Sequence, residues 1–278
     1  MKATYDKVSL EASKLITKRY STSFSLGILL LGRELRDPIY GIYGFVRAAD
    51  EIVDTFHGYP KERLLTQFRN DTYNAIDEGL SLNPVLHSFQ QVVNNYGISK
   101  DLIEHFFNSM FMDLEHTTHE RPTFDEYVYG SAEAVGLMCL KVFTKGDEAL
   151  YRKLESPARS LGSAFQKVNF LRDLQADYRE LQRCYFPGVD PAQFSKKAKI
   201  KIEAEIEEEF DKAFEGIVNL PEDSKRGVYL AYIYYRQLLK KIRSTPAEVI
   251  MEKRIRIPNA LKLALLFQAY ARCKANAL

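Results

Sequence analysis

The sequence predicts an all-α fold. Apolar residues recur at spacings of three and four along almost the whole chain, and no stretch alternates with the period of two expected of a strand. Prolines and glycines stand between these periodic segments. The 278 residues, 46% of them hydrophobic, are enough for a substantial core, and nothing resembles a flexible linker. We therefore expect one helical domain over residues 1–278.

Ten helices are expected, and their bounds are 4–19, 37–56, 60–79, 84–95, 99–119, 123–143, 157–180, 196–216, 222–243 and 258–274. Six have a proline near the start, where proline is tolerated: Pro38, Pro84, Pro122, Pro157, Pro221 and Pro258. Thr123 with Glu126 resembles a capping box, and Ser156 before Pro157 resembles an N-cap. Residues 182–191 are expected to form a loop.

Charge and motif content exclude several function classes. A net charge of +2 does not indicate a nucleic-acid-binding protein, and the absence of a P-loop or a GxGxxG motif gives no support for a nucleotide cofactor. The three scattered cysteines indicate reduced thiols in a cytoplasmic protein. The longest apolar run, Phe24–Leu31, is too short to span a bilayer, and no basic amphipathic helix stands out as an anchor. Peripheral membrane contact and the oligomeric state are left open.

Two aspartate pairs with a spacing of four are the main functional signal. The first, Asp50 and Asp54, follows Tyr43 and Arg47 in an apolar helical segment. At about 100° per residue, these four side chains fall within about 60° of arc on one helix face. Carboxylates on an apolar face are costly unless something neutralises them. The strip therefore predicts a site that binds cations.

The second pair, Asp173 and Asp177, has the same spacing and a similar setting. Gln166 and Asn169 share its helix face within about 80° of arc. Arg172 lies about 120° away, so we expect it to pair with a carboxylate or to close over the mouth of a site. Two matched strips favour a shared function over chance surface carboxylates.

The residue types favour Mg²⁺, with Mn²⁺ as the alternative. Magnesium takes one or two carboxylates per ion and completes its shell with water and phosphate oxygens. Arginine can contact phosphate oxygens directly. If the two pairs face each other, we expect them to bind several metal ions and, through these ions, a polyanion such as a diphosphate. The candidate metal ligands are Asp50, Asp54, Asn169, Asp173 and Asp177.

The hydroxyl cluster at residues 21–25 has two interpretations. Ser21 and Ser23 are either helix caps or hydroxyls that bind phosphate, and the cluster alone favours capping. A polar patch at Asp113, His116 and His119 suggests a metal site, but it offers no clear third ligand. We do not expect zinc there.

Taken together, these residues resemble the squalene/phytoene synthase family over about residues 10–270. The second strip and the Arg183-x-Tyr185-x-Pro187 sequence after it are the specific part of this resemblance. The remaining matches are Ser21-x-Ser23-Phe24, Tyr43, Arg47, Asp50, Glu51, Asp54, Thr123–Tyr127, Ala132, Val135, Gly136, Gly162, Tyr235 and Arg254. The resemblance implies a helical bundle around a prenyl cavity, with the two aspartate motifs on opposite walls.

The resemblance also implies an enzyme that joins two allylic diphosphates head to head. We expect two geranylgeranyl diphosphates to give phytoene, the first step of carotenoid synthesis, with Mg²⁺ and without a nucleotide cofactor. The alternatives are dehydrosqualene or squalene from farnesyl diphosphate, and a non-catalytic scaffold of the same fold. The implied catalytic residues are Asp50, Asp54, Asp173, Asp177, Tyr43 and Arg47. The implied diphosphate contacts are Ser21, Ser23, Phe24, Arg47, Gln166, Asn169, Arg172 and Tyr235.

One residue departs from the family pattern. Glu133 stands where the family usually has a small residue, commonly glycine, on the central helix. A carboxylate at this position is expected either to narrow the prenyl channel or to change the local packing. It bears on chain-length preference more than on the chemistry.

Overall fold

The computed structural model of the chain describes residues 1–115, 118–190 and 194–275. Within these ranges the structure contains α-helices and one π-helical turn, and it contains no β-strand, which confirms the predicted all-α class. The helices are α1 (Lys2–Tyr20), α2 (Thr22–Leu29), α3 (Arg33–Asp54), α4 (Lys61–Glu78), α5 (Pro84–Tyr96), α6 (Lys100–Glu115), α7 (Arg121–Val128), α8 (Ala134–Thr144), α9 (Glu148–Glu180), α10 (Lys196–Ile217), α11 (Glu222–Arg243), α12 (Ala247–Ile250) and α13 (Asn259–Lys274).

Most of the predicted helices lie close to the observed ones. Eight of the ten have both ends within four residues of the observed bounds, and the predicted loop follows α9. Asn83, just before the proline at the first position of α5, accepts a hydrogen bond from the backbone N–H of Val85 at 3.0 Å. Helices α2 and α12 were not predicted. No helix in the described ranges is long and apolar enough to cross a bilayer.

The predicted start of α9 is wrong. The helix begins at Glu148, where Asp147 caps it by accepting a hydrogen bond from Leu150 N at 2.9 Å, and Pro157 lies inside the helix. A proline there removes one helical hydrogen bond. At Pro157, α9 packs closely on α10. A Cβ atom added to Gly216 of α10 would lie only 2.4 Å from the Cβ atom of Pro157.

The central helix is interrupted by a π-helical turn over Tyr129–Glu133, which joins α7 to α8. The predicted capping box is wrong, because α7 begins before it, with Glu120 as N-cap, and Thr123 Oγ1 instead donates to the Glu120 carbonyl at 2.9 Å. The turn packs tightly on α6. A Cβ atom added to Gly130 would lie 2.1 Å from the carbonyl oxygen of His105, so this position requires glycine.

Two hydrophobic clusters form the core. The first comes mainly from α3, α5, α6 and α8 and contains the stacked rings of Phe45 and Phe89, whose centroids are 3.9 Å apart. The second comes mainly from α9, α10, α11 and α13 and contains the fully buried Phe210 and Tyr229. Side chains of both clusters line one cavity, so this cavity lies between them.

A partly buried ionic cluster attaches α10 to α9 and α7. The Nζ atom of Lys167 lies 2.6 Å from Glu209 Oε1 and also contacts Glu205. Arg121 Nη2 lies 2.9 Å from Glu205 Oε1. Burial raises the pKa of Glu205, but hydrogen bonds from Arg121 and Lys167 outweigh burial and lower that pKa to about 2. Glu205 therefore stays ionised and holds two cations.

Candidate active site

A cavity of about 610 Å³ extends into the helix bundle. Its inner walls are apolar, with Leu31, Met110, Leu140 and Phe143 among the lining residues. All thirteen site residues predicted from the sequence line it: Ser21, Ser23, Phe24, Tyr43, Arg47, Asp50, Asp54, Gln166, Asn169, Arg172, Asp173, Asp177 and Tyr235. The structure thus brings the two aspartate strips to one cavity, as the family resemblance implies. The helical spacing alone predicts only that the members of each strip share one helix face.

Helix α3 supplies the first strip. The Tyr43 ring stacks on Phe24, with centroids 4.8 Å apart, and the Arg47 guanidinium lies 4.4 Å from the centroid of Tyr20. Arg47 forms an ion pair with Glu51 and lies 3.8 Å from Asp50. Its buried Nε atom has no hydrogen-bond partner among the described residues. A buried donor beside two carboxylates fits an anionic ligand that accepts from it.

Helix α9 supplies the second strip. Arg172 pairs with Asp173, which is the first of the two alternatives expected for it, and its Nε atom lies 3.0 Å from Asp173 Oδ1. Arg254 reaches the same carboxylate with its Nε atom at 2.6 Å. Asn169 accepts a hydrogen bond from the Tyr235 hydroxyl at 3.1 Å, which orients its amide beside the aspartates. Asp173 therefore has two guanidinium partners, and both lie at the cavity surface.

One aspartate of each pair, Asp50 in the first and Asp177 in the second, has a raised pKa. Burial raises the pKa of Asp50 to about 7, and the charge of Asp54 adds to this effect. Burial likewise raises the pKa of Asp177 to about 7, with further contributions from Asp173 and Asp54. The charges of both walls thus act on Asp177. Such a site favours binding of cations, which offset the repulsion between the carboxylates.

Arg183 connects the two walls, and sequence reasoning did not assign it this role. Its Nη1 atom lies 3.0 Å from Asp54 Oδ1, and its Nη2 atom donates to the backbone carbonyl of Asp113 at 2.8 Å. The Asp113 carboxylate accepts hydrogen bonds from the hydroxyls of Tyr127 at 2.8 Å and Tyr185 at 3.0 Å. Burial raises the pKa of Asp113 to about 6, although the Arg183 charge opposes the shift. The sequence signals for this cluster were the Arg183-x-Tyr185 pattern, the polar patch at Asp113 and the family match at Tyr127, and none of them linked these residues to one another.

The predicted polar patch around Asp113 has a different role. His116 lies outside the described residues, and His119 is buried with its ring stacked on Tyr185 at a centroid distance of 5.7 Å. Asp113 interacts with Arg183 and the two tyrosines. Asp113 therefore belongs to a hydrogen-bonded cluster at the wall of the cavity.

Both interpretations of the hydroxyl cluster fit the structure in part. Ser21 is the N-cap of α2 and accepts a hydrogen bond from Phe24 N at 3.2 Å, while Ser21 and Ser23 also line the cavity. The diphosphate contact implied for Phe24 does not fit. Its N–H is used by the cap and its ring is stacked on Tyr43, so Phe24 has no free donor for phosphate. It offers an aromatic face instead.

The donor set fits magnesium held together with a ligand. No group of three or more His, Cys, Asp or Glu side chains in the described ranges is close enough to hold a metal ion alone. Magnesium usually binds one or two carboxylates and takes its other oxygens from water and phosphate. The aspartates of the two walls supply carboxylates of this kind, whereas the one cysteine lining the cavity, Cys139, lies among apolar residues of α8.

Glu133 does not narrow the channel. It lies in the π-helical turn, is not among the residues that line the cavity, and accepts a hydrogen bond from Arg159 Nε at 2.7 Å. The neighbouring Ser131 and Ala132 do line the cavity. The departure from the family pattern therefore affects the contact between the central helix and α9.

Comparisons with known proteins show which family and which relatives this chain is similar to. The family model described as squalene/phytoene synthase matches residues 17–260. The chloroplastic phytoene synthase of Daucus carota is 29% identical over 286 residues, covering 92% of this chain and 69% of that protein. The phytoene synthase of Arthrospira platensis is 27% identical over 96% of this chain and 94% of its own length. The presqualene diphosphate synthase of Zymomonas mobilis is 30% identical over 66% of this chain and 62% of that protein.

Solved structures show the same fold. A dehydrosqualene synthase in complex with a ligand superposes with a TM-score of 0.82 at 22% identity, covering 97% of this chain and 98% of that one. A squalene synthase from Alicyclobacillus acidocaldarius superposes with a TM-score of 0.74 at 20% identity, covering 86% of this chain and 94% of that one. These likenesses confirm the helical bundle expected from the resemblance.

Proposed function

Since this chain belongs to the squalene/phytoene synthase family, whose members are prenyltransferases, we propose that it joins two geranylgeranyl diphosphates head to head to give phytoene. The observation that carries the proposal is that both aspartate strips meet at one apolar cavity. The substrate choice is supported by phytoene synthases matching 92% and 96% of the chain. A non-catalytic scaffold of the same fold would have no need for four such carboxylates.

The reaction consists of two steps, a condensation and a rearrangement. In the first, the C–O bond of one allylic diphosphate breaks, the electron pair leaves with diphosphate, and the allylic cation adds to the double bond of the second substrate. Loss of a proton closes the cyclopropane of prephytoene diphosphate. In the second, this intermediate loses its diphosphate, rearranges and loses another proton. Two diphosphates and two protons are released, so no reductant is needed.

The proposed metal ligands are Asp50, Asp54, Asn169, Asp173 and Asp177, from the two walls of the cavity mouth. Bound Mg²⁺ would supply positive charge to the leaving diphosphate. Arg47 and Arg172 line the same mouth and offer guanidinium donors to the phosphate oxygens. Ser21, Ser23, Gln166 and Tyr235 add neutral donors. Together these groups stabilise the charge that develops on the leaving group.

The aromatic and apolar residues of the cavity would stabilise the cation and enclose the prenyl chains. The stacked rings of Phe24 with Tyr43 and of Phe165 with Tyr235, the latter 4.0 Å apart, present π faces next to the charged mouth. Such faces stabilise a cation. The apolar walls exclude water, which would otherwise quench the cation.

Product analysis tests the proposal. Purified protein with Mg²⁺ and geranylgeranyl diphosphate, without a reductant, is expected to yield phytoene. The second candidate is farnesyl diphosphate, favoured by the presqualene diphosphate synthase relative and by the structural neighbours. Dehydrosqualene from farnesyl diphosphate alone, or squalene only when NADPH is added, would replace the proposed substrate. No product from either substrate would favour the scaffold.

A further inference from the structure

The outer face of α13 is apolar and exposed. Leu263, Phe267 and Tyr270 are 51%, 69% and 47% exposed, and their spacing of four and three residues places them on one side of the helix. Three exposed alanines widen this side: Ala260, Ala264 and Ala271. The opposite side of α13 is buried in the second hydrophobic cluster. We call the exposed side the α13 outer face.

This face escaped the sequence analysis, which found no basic amphipathic helix. The reason is that α13 is apolar on two sides, one used by the core and the other uncovered by any described residue. Its hydrophobic pattern therefore looks like that of a buried helix. A contiguous exposed apolar face of this kind marks an interaction surface more often than a single exposed side chain does.

Exposed positive charges lie near both ends of the α13 outer face. Residues 253–275 contain six lysines and arginines and no aspartate or glutamate. Three of the six, Arg254, Lys262 and Arg272, contact Asp173, Tyr234 and Tyr229. Lys253 and Arg256 are exposed just before the helix, and Lys274 is exposed at its other end. Lys241 of α11 joins the first group, because its Nζ atom donates to the Arg256 carbonyl at 2.6 Å.

We propose that the α13 outer face docks on an anionic lipid bilayer. Leucine and phenylalanine enter the boundary between headgroups and acyl chains, the tyrosine lies at the headgroup level, and the flanking cations contact lipid phosphates. A second copy of the chain fits less well, because this segment has no carboxylate to pair with the cations of a partner.

Docking in this orientation brings the cavity close to the membrane. Helix α13 packs on α11, and the other side of α11 lines the cavity with Gly227, Val228, Ala231 and Tyr234. Lys262 of α13 lies over the Tyr234 ring at 5.7 Å. The two helices α13 and α11 then separate the docked face from the cavity, so the cavity lies near the bilayer surface, which suits apolar substrates. The docking proposal itself rests on the surface, whichever prenyl substrate is used.

Vesicle co-sedimentation of the full chain tests the proposal. Phosphatidylcholine vesicles with and without phosphatidylglycerol are compared, using the wild type and the Leu263→Ser/Phe267→Ser double variant. The matched control is Leu82→Ser/Ile200→Ser, which removes two other side chains that are 90% and 53% exposed. The wild type and the control are expected to bind the anionic vesicles, more weakly at high salt. The double variant should bind at least about tenfold more weakly, since both of its lost side chains are apolar.

Two results would overturn the proposal. The first is a wild type that does not bind the anionic vesicles, or a double variant that binds them as tightly as the wild type does. The other is self-association of the wild type in sedimentation velocity that only the double variant abolishes, because the face would then join two copies. Turnover of detergent-dispersed substrate should be equal in all three proteins, so a failure of docking is distinguishable from a failure of the proposed function.

Discussion

The Nη1 atom of Arg183 lies 3.0 Å from the Oδ1 atom of Asp54, although 129 residues separate them in the chain. Arg183 belongs to the loop that follows α9, the helix of the second strip, whereas Asp54 is the last residue of α3. The second terminal nitrogen of Arg183, Nη2, donates a hydrogen bond to the backbone carbonyl of Asp113 in α6. The guanidinium thus fixes a carboxylate of the first wall from the loop next to the second wall.

Replacing Arg183 should weaken metal binding more than folding. An Arg183→Lys variant keeps the positive charge. Its ammonium has one nitrogen instead of the forked guanidinium, so it cannot contact Asp54 and the Asp113 carbonyl at once. Residues that orient metal ligands typically change metal affinity or activity by about 10–100-fold. We expect a shift of that size in the Mg²⁺ concentration for half-maximal turnover. Arg179→Lys, at an exposed position of α9, is the control and should match the wild type. An unchanged Mg²⁺ dependence in Arg183→Lys would contradict this role.

The aspartate strips should be essential for turnover and dispensable for folding. Asp50→Asn and Asp173→Asn each keep the side-chain shape and remove a charge from the mouth. Turnover is expected to fall by at least about 100-fold, because stabilisation of the leaving group is lost. Helical circular dichroism should be unchanged. Asp71→Asn, at an exposed position of α4, is expected to be fully active, and normal turnover in either strip variant would remove the metal-site assignment.

Metal removal should stop the reaction reversibly. Excess EDTA is expected to abolish turnover, and added Mg²⁺ or Mn²⁺ should restore it. A readout independent of turnover is thermal unfolding, in which Mg²⁺ with inorganic diphosphate should raise the melting temperature of the wild type. The Asp50→Asn/Asp173→Asn double variant should show little of this increase. Full turnover in EDTA would show that the carboxylates do not act through a metal.

The ionic cluster around Glu205 predicts a pH-dependent stability. Because the folded-state pKa is about 2, below the ordinary 4.5, the contribution is present above pH 4.5 and is lost as the pH falls toward 2. Glu205→Gln should lower the free energy of unfolding by about 1–3 kcal/mol at pH 7, allowing for partial exposure. Urea unfolding from pH 7 to pH 3 measures this difference, which should shrink with acid.

Glu208→Gln is the matched control, since Glu208 lies exposed on the same helix. It should change stability little at any pH in the series. A constant difference between Glu205→Gln and the wild type at all pH values would mean that shape, and not charge, explains its effect.

The helical periodicity was enough to predict which side chains share a face within each strip, whereas the meeting of the two strips at one cavity was implied by the family resemblance. Each aspartate strip lies on one helix, so its shared direction follows from the angle per residue and needs no tertiary information. A carboxylate partner for Arg172 was one of two alternatives, and its pairing with Asp173 was not predicted, because adjacent residues of a helix project about 100° apart. The fold class followed from the same periodicity.

Features set by contacts between distant segments could not be predicted. A proline in the first turn and a proline inside a helix look alike in sequence, and for Pro157 the packing on Gly216 accompanies the second case. The contacts of Arg183 with Asp54 and Asp113 join segments 129 and 70 residues apart. Nothing in the spacing of single residues encodes such distances.

The π-helical turn explains how one long helix keeps a single wall facing the cavity. The lining residues of α7, the turn and α8 include Tyr127, Ser131, Val135, Cys139 and Phe143, each four residues after the last. On a straight α-helix this spacing would drift by about 160° around the axis from first to last. One additional residue in the turn rotates the following positions back by about 100°. The number of residues in this turn therefore sets the shape of the wall, and losing one would turn α8 away from the cavity without changing any side chain that lines it.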